Sequence, residues 1–162
     1  MAVDWPERIL RLMDIFDALL TSHHTQRELC ARLLADIGQA EARRQTFDEL
    51  KAELAVHATA EERSFYVPLI EHDDTVDLSR HAIAEHHEMD EMVEALEETE
   101  AGSAEYLEAV GKLVHKVGHH LDEEEQKFFD QARRILPRQR QQELGALYFE
   151  EHQRLQAKEA EA

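Results

Sequence analysis

The sequence predicts an all-α chain, an up-down-up-down four-helix bundle with an additional C-terminal helix, and three observations predict it. Only five Gly and three Pro punctuate 162 residues, of which 33% are charged, so long helical stretches meet few breakers. Apolar residues recur at three- and four-residue intervals, the period of one helical face. An ungapped internal repeat of 63 residues carries His57-x-x-x-Glu61-Glu62-x-x-Phe65-Tyr66 onto His120-x-x-x-Glu124-Glu125-x-x-Phe128-Phe129, and His23-His24 onto His86-His87. Two equal halves with short connections favour antiparallel neighbours, so a pseudo-two-fold axis is expected between the first helix pair and the second.

In chain order, Asp4 caps a first helix with Pro6 in its opening turn. Leu12, Ile15, Phe16, Leu19, Cys30, Leu33, Leu34 and Ile37 mark its buried stripe, and Gly38 ends it. His23 falls within the stripe and His24 on its flank. A second helix runs from about residue 41 to 67 with Leu50, Leu54, His57, Glu61 and Phe65 on one line, and Pro68, which has no amide to donate, closes it. Residues 71–76 form a polar connection. The third helix begins near Leu78, turns Ile83, His86, Met89, Val93 and Leu96 to one face, and stops before Gly102-Ser103. Ser103 opens the fourth, whose stripe is Val110, Leu113, Val117, His120, Glu124 and Phe128. Gly111 and Gly118 each cost roughly 1 kcal/mol inside a helix, and they are expected to admit a close neighbour, a tolerated weakness being the alternative. Pro137 breaks this helix. Leu144, Leu147, Tyr148 and Leu155 then mark a shorter fifth helix, packed on the bundle or on a second chain. The expected division is a bundle over residues 1–136 and a helix and tail over 137–162.

A histidine and a glutamate at i and i+4 lie on one face of a helix, roughly 5–6 Å apart at Cβ, within reach of one metal ion. In the predicted bundle His23, His57, Glu61, His86, His120 and Glu124 converge on one level of the core. A lone histidine on an apolar face is ordinarily a satisfied core residue. Two buried carboxylates among four such histidines are different, because ionised carboxylates in a core without a cation cost several kcal/mol each. The donors suit iron, with manganese, cobalt or zinc possible. The single cysteine, Cys30, excludes both an intrachain disulfide and a thiolate zinc site.

The other polar residues rank below these six. Glu62, Asp122, Glu123 and Glu125 are solvated face or acceptors behind the ligands. His24 and His87 follow the repeat on its flank and are the replacement ligands should the helical phase shift by one residue. His81, His115 and His119 have no counterpart at the offset and read as surface, with a hydrogen-bonding role behind the ligands or a replacement ligand as the alternative, and His72 and His152 receive no role. Tyr66 stands one turn and one residue beyond Glu61, where core packing is expected over an approach to the metal. The net charge of −18 argues against nucleic acid and anionic membranes as partners. No apolar run approaches the roughly 18 residues of a spanning helix, and no secretory signal opens the chain, so a cytoplasmic location is expected.

The pattern of His23, His57-x-x-x-Glu61-Glu62, His86 in Ala-Glu-His-His-Glu-Met-Asp, and His120-x-x-x-Glu124-Glu125 resembles the haemerythrin-like HHE cation-binding domain family across nearly all of residues 10–136. The resemblance implies two iron ions in an oxo- or hydroxo-bridged non-haem centre, with Glu61 and Glu124 as the bridging carboxylates. Carried over by position, its ligands are the same six residues. Oxygen-carrying relatives hold two histidines four apart in the third helix; here Ala82 and Asp90 stand at that spacing from His86. One imidazole fewer leaves an open coordination position, which favours binding of or reaction with oxygen, peroxide or nitric oxide. Weak peroxide-decomposing or oxidase-like chemistry is one expectation. An iron- or oxygen-responsive sensor or interaction protein without turnover, working through the tail helix, is the alternative. The expected partner is a small diatomic or peroxide ligand, and the expected state a monomer or homodimer. Ferritin-like oxidases fit less well, since their sites rest on Glu-x-x-His pairs.

Overall fold

A computed structural model describes residues 7–10, 12–36 and 38–162. Asp4, Pro6 and Ile37, expected to cap, open and line the first helix, lie outside them. A short helix α1 (Glu7–Leu10) precedes α2 (Ile15–Ala35), so the first helix is broken where one run was expected. The break has a local cause: the Asp14 side chain accepts a hydrogen bond from Asp17 N at 2.9 Å and caps α2. Leu12 falls before the cap and is exposed, not buried. Leu34 is likewise exposed, while Ile15, Phe16, Leu19, Cys30 and Leu33 are buried as the stripe requires.

The second long element is α3 (Ala40–Glu61), followed without interruption by a π-helical turn over Glu62–Tyr66 and by α4 (Val67–Ile70). Pro68 therefore does not close the helix. It sits in the first turn of α4, where its missing amide costs little. Helix α5 (Val76–Glu97) returns, and α6 (Ala104–Glu123) starts at Ser103, whose hydroxyl accepts from Tyr106 N at 3.1 Å. A second π turn, Glu124–Phe128, leads into α7 (Phe129–Ile135), and Pro137 is the N-cap of α8 (Arg138–Glu161). At 24 residues α8 is the longest of these helices, not a shorter tail. No strand occurs among the described residues.

The start of α2 (Ile15, Phe16, Leu19) packs with the end of the second element (Phe65, Leu69) and with Phe128 and Phe129 beyond α6. The end of α2 (Leu29, Leu33) packs with the first half of α3 (Phe47, Leu50), the end of α5 (Val93, Leu96) and the first turns of α6 (Tyr106, Val110). Starts meet ends throughout, so the four long elements run up, down, up and down. Helix α8 lies against α2 and α3, placing Leu144 and Tyr148 in the first of these two cores. Its approach depends on Gly145: a Cβ there would overlap Met13 O and stand 2.7 Å from Asp14 C and 2.9 Å from Ile15 N. Gly111 and Gly118 have no such neighbour, since an added Cβ at either meets nothing within 4 Å. The close approach lies in α8, not in α6.

Candidate metal centre

Between the two apolar cores lies a polar layer. His23 comes from α2, His57 and Glu61 from the last turns of α3, His86 from α5, His120 from α6 and Glu124 from its π turn, and all six are at most 4% exposed. Glu61 Oε2 is 3.0 Å from His57 Nε2 and 3.3 Å from His86 Nε2. Glu124 reaches the other two imidazoles, with Oε1 3.4 Å from His23 Nε2 and Oε2 3.7 Å from His120 Nε2. The donor atoms of His23, His57 and Glu61 lie within 4.8 Å of one another, as do those of Glu61, His86 and His120. Two three-residue groups thus share one carboxylate.

Four atoms of this layer, His23 Nε2, His57 Nε2, Glu61 Oε1 and Glu124 Oε1, are buried and make no hydrogen bond, since the close His–Glu contacts lack the required angles. Buried polar atoms are almost always satisfied, and these four belong to residues of one cluster, as the donor set of a cation would. The donor set fits a pair of first-row metal ions: imidazole nitrogen with carboxylate oxygen, and no thiolate.

Each imidazole is oriented through its other nitrogen. His23 Nδ1 is 2.9 Å from Glu125 Oε1, His86 Nδ1 is 3.2 Å from Glu62 Oε1, and His120 Nδ1 is 2.7 Å from Glu85 Oε2. For His57 the partner is the Tyr148 hydroxyl, 2.9 Å from Nδ1. Such partners fix which ring nitrogen is free to bind a metal. Arg27 holds Glu125 in turn, its Nη1 donating to Oε1 at 2.8 Å and its Nη2 to Oε2 at 3.1 Å.

The charges follow from these contacts. Burial opposes a charge on His23, yet the nearby Glu124 carboxylate and the hydrogen bond to Glu125 outweigh that and raise its pKa to about 9. His86 rises to about 10 against the same opposition, through Glu61 and Glu62. His57 is lowered, because complete burial outweighs the pull of Glu61. Burial would also raise Glu61, but His57 and His86 hold it well below the usual carboxylate range, while burial and the Glu61 charge push Glu124 up. Despite burial, Glu85 and Glu125 are each held down to about 2, by His120 and Lys116 and by His23 and Arg27.

The two π turns bring a further group inward. In an α-helix residue i+5 sits about 140° round from residue i; a π turn, closing i to i+5, returns it to the same face. Tyr66, five residues after Glu61, accordingly donates toward Glu61 Oε2 at 2.8 Å and toward Glu124 Oε2 in a shorter contact. In the second half Phe129, five after Glu124, stacks on His23 with ring centroids 5.9 Å apart. Tyr66 is therefore part of the centre, the outcome that the sequence ranked below core packing. A cavity of about 10 Å³, with room for about one water-sized molecule, is lined in part by His57, His86, His120, Gln26 and Met89.

The flanking histidines point away. His24 and His87 have side chains 70% and 75% exposed, paired with Glu28 and Glu91 one turn on. His81, His115 and His119 are exposed as well. Glu85 and Tyr148 escaped the sequence reading. Glu85 lies beside His86, one residue off the predicted apolar line, and Tyr148 gives no local signal at all.

A family model of the Hemerythrin HHE cation binding domain matches residues 14–132. The chain belongs to this family. The matched segment takes in all six clustered residues and ends before α8. As an HHE cation-binding domain the chain is a metal-binding protein whose His/Glu groups are its candidate ligands. No curated protein and no solved structure gives a match. Among the described residues of this HHE chain, no helix is long and apolar enough to cross a membrane.

Proposed function

We propose that this HHE domain is a non-haem di-iron protein that binds or reacts with oxygen, peroxide or nitric oxide. The observation that carries the reading is the sharing of Glu61 by two His-containing groups: two ions a carboxylate apart are what such a layout serves. His23 and His57 with Glu61 would hold one iron, and His86 and His120 with Glu61 the other, Glu124 completing both. A bound iron pair would supply the two electrons that reduction of an O–O bond needs, or a binding position for a diatomic ligand.

The remaining residues act on the ligand and its protons. The cavity beside His57, His86 and His120 has room for about one water-sized molecule, which favours a small ligand. Tyr66 presents a hydroxyl that meets both carboxylates; burial and the two carboxylate charges hold its proton well above the usual phenol range, so it stays a hydrogen-bond donor between Glu61 and Glu124. The apolar cores on either side limit water around the pair. With a net charge of −18, nucleic acid and anionic membranes stay outside the proposed partners.

Elemental analysis of the freshly purified protein tests this first. About two irons per chain are expected, with peroxide loss proportional to iron content if the centre turns over. Iron absent even after anaerobic loading overturns the reading. A second reading, an iron-responsive interaction protein without turnover, is favoured by the Tyr148–His57 contact, which ties α8 to the centre. It requires metal-dependent helicity or oligomeric state and no consumption of peroxide.

A further inference from the structure

The 63-residue repeat gives each of the four imidazoles a counterpart, so their supports can be compared in pairs. His23 and His86 are counterparts, and so are the carboxylates behind them, Glu125 and Glu62. Each half lends the other one carboxylate. His57 and His120 are also counterparts, but their supports are not. Behind His120 stands Glu85, whose own position in the first half is Ser22. Ser22 is too short to play the same part; its hydroxyl donates to Glu53 Oε1 at 2.6 Å. The missing acceptor comes from outside the repeat, as the Tyr148 hydroxyl of α8, and Gly145, one turn earlier, is what lets α8 approach.

This difference has a chemical consequence. When Nε2 of an imidazole holds a metal, its proton stays on Nδ1, and the acceptor of that proton sets how strongly the ring donates. A carboxylate acceptor makes a charge-assisted hydrogen bond, about twice as strong as one to a neutral hydroxyl. Glu85 therefore makes His120 a stronger donor than Tyr148 makes of His57.

We propose that α8 makes the two metal positions unequal: the position formed by His23 and His57 is the labile one, and Tyr148, as a positioning residue, governs how readily it empties. The inference rests on the two-metal reading above. It assigns the matched segment one firmly held ion, and places the second under the control of a helix that lies outside the family match.

The test is release of cobalt(II) from the anaerobically loaded full chain to excess chelator, followed by visible absorbance and elemental analysis. The wild-type protein should lose its metal in two phases of equal amplitude, separated by about tenfold or more in rate, the scale on which the partners of ligating imidazoles act. Tyr148→Phe should speed the fast phase and leave the slow one unchanged, whereas a merely structural role would speed both together. Glu85→Gln should bring the slow phase toward the fast one, and it decides the matter even if the Tyr148 variant fails to fold. Two bound ions leaving in a single phase, or a Tyr148→Phe effect equal on both phases, overturns the inference while the two-metal reading stands. Failure of the wild type to take up either cobalt or iron overturns both.

Discussion

At the scale of single residues, Glu61 and Glu124 look equivalent by repeat, yet their environments separate them. Glu61 belongs to both three-residue groups and is held ionised by His57 and His86; Glu124 is pushed toward its neutral form by burial and by Glu61 itself. Glu61→Gln should therefore strip metal from both positions, and Glu124→Gln should retain more, as elemental analysis of the two variants will show. Tyr66→Phe removes a hydroxyl that satisfies carboxylates fully buried beside it, and should lower the stability of the metal-free protein by about 1–3 kcal/mol in denaturant unfolding, with metal content kept. The six clustered residues were legible because repeat and helical period select the same positions. Glu85 and Tyr148 were not, since a hydrogen bond between residues 35 or 91 positions apart leaves no spacing to read.

At the scale of elements, the four long runs follow from the apolar period, and Ser103 caps the last of them as its chemistry predicts. The first cap was expected at Asp4, whereas Asp14 caps α2, and α3 and α5 start without a side-chain cap. The π turns do not follow from the period, because a reading at 100° per residue assumes every turn is alike. The consecutive aromatics Phe65-Tyr66 and Phe128-Phe129 were the available signal: all four are buried, which a regular helix face does not readily allow for adjacent bulky residues. Pro68 misled for a related reason, since its position opens a new α-helical turn after the π turn. Helix α8 is the element whose placement is most open to test. Gly145→Ala puts a methyl group into the backbone of Met13 and Asp14, and overpacking of that kind costs about 1–3 kcal/mol. A lower thermal midpoint is expected, together with faster amide exchange confined to α8 and the start of α2.

At the scale of the whole molecule, the charges in the polar layer tie stability and metal affinity to pH in opposite senses. His23 and His86 have folded pKa values of about 9 and 10, raised from 6.5. A raised value means that the folded state binds protons more tightly than the unfolded one, so this contribution is complete below pH 6.5 and is lost as pH rises through 9 to 10. The metal-free protein should accordingly unfold more easily as the solution is taken from neutral to strongly alkaline. Metal must displace those same protons, so loading at neutral pH should release protons, measurable in a weakly buffered solution, and affinity should climb with pH.

The crossing of carboxylates between the halves also bears on when the chain becomes competent. His23 waits for Glu125, 102 residues later, and His86 is steadied by Glu62 from the hairpin before it. Neither hairpin carries its own complete set. A ribosome that has released only the first hairpin has made two histidines and a glutamate with nothing to hold the first in place, so a half-finished chain offers a metal ion no secure seat. Assembly of the centre is thereby deferred until the last long-range contacts close, and a protein clipped between its hairpins would regain the centre only by bringing the two pieces back together.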